Sequence, residues 1–175
     1  MSRLLLPFCA LAFLSLSACD TGDGIPRGVE IYQVVIEDTP LFQPNGERWD
    51  GGIIPSGPDV YFLLVDRSGN ILLNTDDEEF NRDVSGDGVG NYTDIGGPDF
   101  PLVWDLEPDF YLPGFDRSFE IVVVDDDPTT ADDEMDFTEA FTFRSDDAPV
   151  DVDTDLVLRS PSGDTTVRIR YRVVD

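Results

Sequence analysis

The chain has 175 residues, enough for one domain with a sizeable core, and its 41% hydrophobic content is too high for a disordered acidic polymer. It carries 37 acidic residues against 11 arginines, with no lysine or histidine, and its formal net charge is −26. Nucleic acid is therefore not expected as a partner, because phosphate binding requires a basic patch. The absence of histidine excludes Ser-His-Asp and Cys-His catalysis and most zinc sites, so we do not expect an enzyme.

The N-terminus has the features of a secretory signal peptide over 1–18, with Arg3 followed by an apolar stretch over 4–16 that is too short to span a bilayer. The sequence Leu-Ser-Ala-Cys at 16–19 resembles the bacterial lipobox, in which the cysteine is lipidated and becomes the first mature residue. We therefore expect a lipid anchor on Cys19, a tether over 19–27, a folded domain over 28–175 and a location in the bacterial cell envelope. The alternative is an ordinary secretory signal followed by an incidental cysteine.

Short β-type segments alternate with loops rich in glycine, proline and aspartate over the rest of the chain, and no helical period is present. The predicted strands cover 28–36, 59–65, 71–73, 100–104, 109–112, 118–124, 140–144, 155–159 and 165–174. In the last of them apolar residues alternate with Arg168, Arg170 and Arg172, which indicates one buried and one solvated face. About eight short strands joined by turn-rich loops predict an all-β, antiparallel sandwich or barrel.

The apolar segment 118–124 leads directly into an acidic run, in which Asp125, Asp127 and Asp133 follow an Asp-x-Asp-x5-Asp pattern. Two carboxylates about 4 Å apart repel each other by about 4 kcal/mol at an effective dielectric constant near 20. Such a loop either spreads into water or closes around a cation, and hard oxygen ligands on both limbs suit calcium. The alternatives are aspartates that cap turns and face water, and an acid-adapted surface like that of salt-loving organisms.

Several motifs resemble the C2 domain family over most of 28–174. They are Pro-Asp-Val-Tyr-Phe at 58–62, Pro-Leu-Val-Trp-Asp at 101–105, Val-Val-Asp-Asp-Asp at 123–127 with Asp133, and Val-Arg-Ile-Arg-Tyr at 167–171. The resemblance implies an eight-stranded antiparallel β-sandwich that binds calcium between its first and third loops. The implied ligands are Asp50 and Asp59 from the first loop and Asp125, Asp127 and Asp133 from the third, with Asp126, Asp132 and Asp136 as substitutes or supporting groups.

A second candidate calcium loop lies at 83–94. Positions 1, 3, 5, 9 and 12 of an EF-hand loop correspond to Asp83, Ser85, Asp87, Asn91 and Asp94, and a glycine occupies position 6. Flanking helices are not predicted, and Asp94 stands where the bidentate glutamate is usual. The segment is either a free-standing calcium loop or a disordered Gly-Asp insertion.

These features predict a calcium-binding module that contacts anionic membrane lipid or an envelope partner. Ile53 and Ile54 lie near the expected tip of the first loop, where they would insert into lipid. The alternative is a calcium-stabilised adhesion or scaffolding module that binds a protein or glycan and has no lipid binding of its own. A carboxylate-based hydrolase is a third class, but no specific motif supports it.

Overall fold

The computed structural model describes residues 25–49, 57–76, 92–127 and 131–175. The described residues form nine β-strands and one short 3-10 helix, Gly97–Asp99. The strands are β1 Gly28–Asp38, β2 Val60–Asp66, β3 Ile71–Asn74, β4 Leu102–Pro113, β5 Ser118–Asp125, β6 Asp133–Phe137, β7 Phe141–Thr142, β8 Asp153–Arg159 and β9 Thr166–Val174. None of the described residues belongs to a helix long and apolar enough to cross a membrane.

The strands form two antiparallel sheets, which confirms the predicted β-sandwich. The first sheet has the order β4-β1-β9-β8, and the second has the order β3-β2-β5-β6 with β7 also paired to β5. The alternation predicted for β9 is present, since its apolar residues are buried and its three arginines lie on the opposite face. The predicted hairpin is also present, since β2 and β3 pair antiparallel. In its turn Asp66 accepts hydrogen bonds from the backbone N–H groups of Ser68 and Asn70.

Two elements differ from the prediction. Residues 102–104 of the first predicted segment and the segment 109–112 belong to one continuous strand, β4. Its pairing with β1 shifts register between Ile31 and Gln33. An additional strand, β6, covers Asp133–Phe137. Its sequence Asp-Glu-Met-Asp-Phe has no β-branched residue, so its strand conformation comes from pairing with β5 and not from intrinsic propensity.

The core lies between the sheets and is centred on Trp104, which is fully buried. Its ring packs edge-on against Phe62 of the other sheet, with centroids 5.2 Å apart, and against Tyr92, with centroids 4.8 Å apart. Such edge-to-face pairs stabilise a core beyond the burial of their area. The two sheets and the segment around Tyr92 are thereby joined at one place.

The sandwich has two distinct ends. Strand pairing places the end of β1, the end of β5 and the starts of β2, β4, β6 and β9 at one end. We call this the loop end, and the connections 39–59, 75–101, 126–132 and 160–165 leave from it. The opposite end, called the terminal end, holds Gly28, Val174 and the turns at 67–70 and 114–117.

Candidate functional site

The residue before β2 and the last residue of β5 contact each other directly at the loop end. The backbone N–H of Asp59 donates a 2.8 Å hydrogen bond to Oδ1 of Asp125. The N–H of Asp126 donates a 2.7 Å hydrogen bond to the carbonyl oxygen of Asp59. Asp125 is fully buried, which is rare for an aspartate. The pairing of Val60 with Asp125 thus brings one predicted ligand of the first loop against one of the third.

Asp94 joins this pair, although the sequence assigned it only to the second candidate loop. Its backbone N–H donates a 2.7 Å hydrogen bond to Oδ1 of Asp59. Its own Oδ1 accepts a 2.6 Å hydrogen bond from the N–H of Gly57. Asp94 has a positive φ of 54°, which aspartate tolerates better than most residues. We call Asp59, Asp94 and Asp125 the acidic junction.

Contacts of Tyr92 and Gly57 hold Asp94 beside Asp59. The backbone of Tyr92 exchanges two hydrogen bonds with Val60, of 2.7 and 2.9 Å. The Tyr92 hydroxyl donates to the carbonyl oxygen of Val103 at 2.7 Å. A Cβ atom at Gly57 would lie 2.0 Å from the carbonyl oxygen of Ile95, so only glycine permits this close approach. A single tyrosine after a Gly-rich stretch is a weak strand signal, which is why sequence analysis missed the arrangement.

A side-chain hydrogen bond of Asp132 ties the third loop to the second sheet. The hydroxyl of Tyr61 donates a 2.7 Å hydrogen bond to Oδ2 of Asp132, and the N–H of Asp127 lies 3.4 Å from Oδ1 of Asp132. Asp133, predicted to close the loop, is the exposed first residue of β6 and pairs in register with Asp125. Asp127 and Asp132 are the described carboxylates closest in sequence to residues 128–130.

Asp136, predicted as a substitute ligand or supporting group, has a different environment. Its Oδ2 accepts hydrogen bonds from the hydroxyls of Thr165, at 2.7 Å, and Ser162, at 3.2 Å. Thr165 is buried and its hydroxyl lies 3.1 Å from that of Thr39. These contacts connect β6 of the second sheet with the residues that follow β1 and precede β9 in the first sheet. Asp136 therefore joins the two sheets.

The remaining predicted site residues lie outside the described ranges. They are Asp50 of the first loop, Ile53 and Ile54 at its expected tip, Asp83, Ser85, Asp87 and Asn91 of the second candidate loop, and Cys19 of the lipobox.

The donor chemistry of the acidic junction fits calcium, although the junction is not a complete site. Within 25–49, 57–76, 92–127 and 131–175, no group of three or more acidic, histidine or cysteine side chains is arranged to hold a metal ion. A carboxylate offers about four acceptor sites, and the bond from Asp94 uses one of those on Asp59. Calcium takes six to eight oxygens, so a calcium ion bound here would need further oxygens from other groups.

The arginines of β9 are compensated by acidic neighbours on the outer face of the first sheet. The pairs are Arg168 with Glu37 and Asp155, Arg170 with Asp155, and Arg172 with Glu30 and Asp109. The guanidinium of Arg172 also lies over the ring of Tyr32, 5.6 Å from its centroid. The positive charge of this row is thus balanced locally.

The hydroxyl of Tyr61 gives a test of the acidic surroundings at the loop end. Burial, followed by the hydrogen bond to Asp132 and nearby negative charges, raises the pKa of Tyr61 far above its ordinary value of 10.0. This pKa is higher in the folded than in the unfolded state. The stabilisation by the protonated Tyr61 hydroxyl is therefore complete below about pH 10 and is lost as the pH rises further.

The measurement is urea unfolding of wild type and Tyr61→Phe from pH 8 to 11.5 in calcium-free buffer. The stability advantage of wild type should shrink as the pH rises above 10. Tyr111→Phe, at a half-exposed position on β4, is the control and should follow wild type. Parallel pH profiles for wild type and Tyr61→Phe would contradict the raised pKa.

Comparisons with solved structures give similarities at low sequence identity. One structure, described as "Structure of a C2 domain", is 12% identical, with a TM-score of 0.45, and the match covers 85% of this chain and 99% of that chain. Human GIVD cytosolic phospholipase A2 matches with 15% identity and a TM-score of 0.48, over 88% of this chain and 17% of the phospholipase. The same enzyme in complex with methyl gamma-linolenyl fluorophosphonate matches with 11% identity and a TM-score of 0.44, over 86% and 18%.

No family model and no curated protein matches the sequence. The chain spans less than a fifth of the phospholipase, and the activity in that name belongs to that protein. The description of this chain as a two-sheet antiparallel β-sandwich rests on its own strand pairing.

Proposed function

We propose that this chain is a calcium-binding, C2-like module of a lipid-anchored cell-envelope protein and is not an enzyme. The observation that carries the proposal is the direct contact of Asp59 with the fully buried Asp125 at the loop end. The pairing of β2 with β5 brings carboxylate groups of the first and third loops to one edge of the sandwich. Oxygen ligands from two loops at one edge are the donor set that a calcium ion accepts, and aspartates that merely cap exposed turns would not be buried as Asp125 is.

Calcium is the cation that the chemistry favours. All three side chains of the acidic junction are carboxylates, and the chain has no histidine, the usual nitrogen ligand of zinc. Calcium tolerates irregular geometry and accepts water or further carboxylates to complete its shell. Asp50, Asp127 and Asp133 are the predicted further ligands.

The anchor rests on the sequence at the N-terminus. Small residues precede Cys19 after an apolar stretch of signal-peptide length, as a lipobox requires. Lipidation of Cys19 would hold the domain at the surface of an envelope membrane. The intact mass of the protein purified from bacterial membranes tests this, since the lipid adds a defined mass that Cys19→Ala would lack.

Calcium binding is tested by titration calorimetry of the lipid-free chain beginning at Asp20. Wild type should bind calcium, and Asp59→Asn should weaken the affinity at least tenfold because the variant loses one anionic oxygen while keeping the hydrogen-bond acceptor for Asp94. Asp116→Asn is the matched control, because Asp116 is exposed, has a positive φ of 60° and lies in the 114–117 turn at the terminal end. Equal calcium affinity of wild type and Asp59→Asn would contradict a site at the junction.

The second candidate is a calcium-stabilised adhesion or scaffolding module without lipid binding of its own. It is favoured by the net charge of −26, which opposes approach to an anionic bilayer, and by the local compensation of the arginine row. Co-sedimentation of the lipid-free chain with phosphatidylserine vesicles, with calcium or chelator, tells a calcium-dependent lipid-binding module from one without lipid binding of its own. Calcium-dependent sedimentation that is lost in an Ile53→Ser, Ile54→Ser double variant supports lipid insertion, and its absence supports the second candidate.

A further inference from the structure

The chain enters the sandwich at the end opposite to the acidic junction. The N–H of Arg27 donates a 2.7 Å hydrogen bond to the carbonyl oxygen of Val174, and the N–H of Gly114 donates one of 2.7 Å to the carbonyl oxygen of Arg27. These bonds hold Arg27 at the terminal end. From there β1 runs the length of the sandwich to Asp38 at the loop end.

The separation of the two ends exceeds the reach of the chain between Cys19 and Arg27. The 11 residues of β1 span about 35 Å at a rise of about 3.3 Å per residue. Cys19 and Arg27 are eight residues apart in the sequence, which corresponds to at most about 29 Å of extended chain. Full inversion of the domain, with the loop end pointing into the bilayer that holds Cys19, would require a longer tether.

We infer that the loop end faces away from the anchoring membrane, so that the partner of the acidic junction lies outside that membrane and is not its lipid. This inference rests on the proposed lipidation of Cys19 and deepens the proposed function by restricting where the partner lies. The net charge of −26 also opposes close contact of the domain with anionic lipid.

The test measures the orientation on a bilayer and uses the cysteine itself as the attachment point. Cys9 and Cys19 are the two cysteines of the sequence, and the chain beginning at Cys19 retains only the second. It is coupled through this thiol to a maleimide lipid in supported phosphatidylserine-containing bilayers. An azide-bearing residue replaces either Ser68, in the exposed turn at the terminal end, or Pro161, in the exposed turn at the loop end, and each is conjugated to a donor dye.

Energy transfer to an acceptor lipid should place the dye at Ser68 close to the bilayer and the dye at Pro161 farther away, by roughly the 35 Å length of the sandwich. We expect this order in chelator and in millimolar calcium. A nine-residue Gly-Ser insertion after Asp20 is the matched control, because it extends the reach from Cys19 to about 61 Å and should bring the two dyes to similar mean heights.

A dye at Pro161 that lies as close to the bilayer as the dye at Ser68 with the native tether would overturn the inference. Calcium that draws the Pro161 dye to the bilayer would also overturn it. Failure of the proposed anchor is seen separately, in the intact mass of the natural protein, because the maleimide lipid replaces the natural modification in this experiment.

Discussion

In millimolar calcium the unfolding midpoint should rise by about 5–10 °C relative to chelator, and Asp125→Asn should abolish this rise. Calcium at about 100 times its dissociation constant stabilises a folded state that alone binds it by about 2.7 kcal/mol. For a domain of this size each kcal/mol shifts the midpoint by about 2–4 °C. The measurement is calorimetry of the lipid-free chain in calcium and in chelator.

The calcium-free midpoint of Asp125→Asn separates a metal site from a purely structural aspartate. An asparagine at this position still offers Oδ1 to the N–H of Asp59, which Asp125 accepts at 2.8 Å. It removes the anionic oxygen that a bound calcium ion would use, so the calcium response should be lost while the calcium-free midpoint stays close to that of wild type. A calcium-free midpoint that falls by several degrees, together with a calcium response like that of wild type, would contradict the assignment of Asp125 as a ligand. Asp116→Asn again serves as the control at the other end of the sandwich.

Trp104→Ala should lower the free energy of unfolding by about 3–5 kcal/mol, the range for large-to-small aromatic substitutions in cores. Trp104 is fully buried and packs edge-on against both Phe62 and Tyr92. Alanine would leave a cavity between the sheets and remove the surface that orients Tyr92. Since Tyr92 holds the segment that carries Asp94, the calcium affinity of this variant should fall as well.

Urea unfolding followed by circular dichroism measures the effect of Trp104→Ala. Tyr111→Ala is a control on the same strand, at a residue that is 47% exposed, and it should cost less than about 1 kcal/mol. A loss below 1 kcal/mol for Trp104→Ala would contradict its place at the centre of the core. Tyr92→Phe tests the link to the junction, because it keeps the ring and removes the hydrogen bond to Val103, with an expected loss of about 1–2 kcal/mol.

Local patterns predicted the architecture well, because a strand has a side-chain period of two that short stretches of sequence display. The alternation in β9 and the hairpin around Asp66 are examples, and both are present in the structure. The strand β6 was not predicted, since Asp133–Phe137 lacks β-branched residues and depends on pairing with β5. Asp133, which was predicted to close the third loop, is the first residue of this strand.

The sequence by itself determined the fold class, the excess of carboxylates and the absence of histidine, all of which follow from composition and local pattern. It also indicated Asp59 and Asp125 through motifs that resemble one family. Only the tertiary structure decided that these two residues touch, that Asp125 is fully buried, and that Asp94 joins them. The contact of Asp59 with Asp125 joins positions separated by 66 residues, and its contact with Asp94 joins positions separated by 35. Contacts over such separations depend on the whole sandwich and not on any local stretch of sequence.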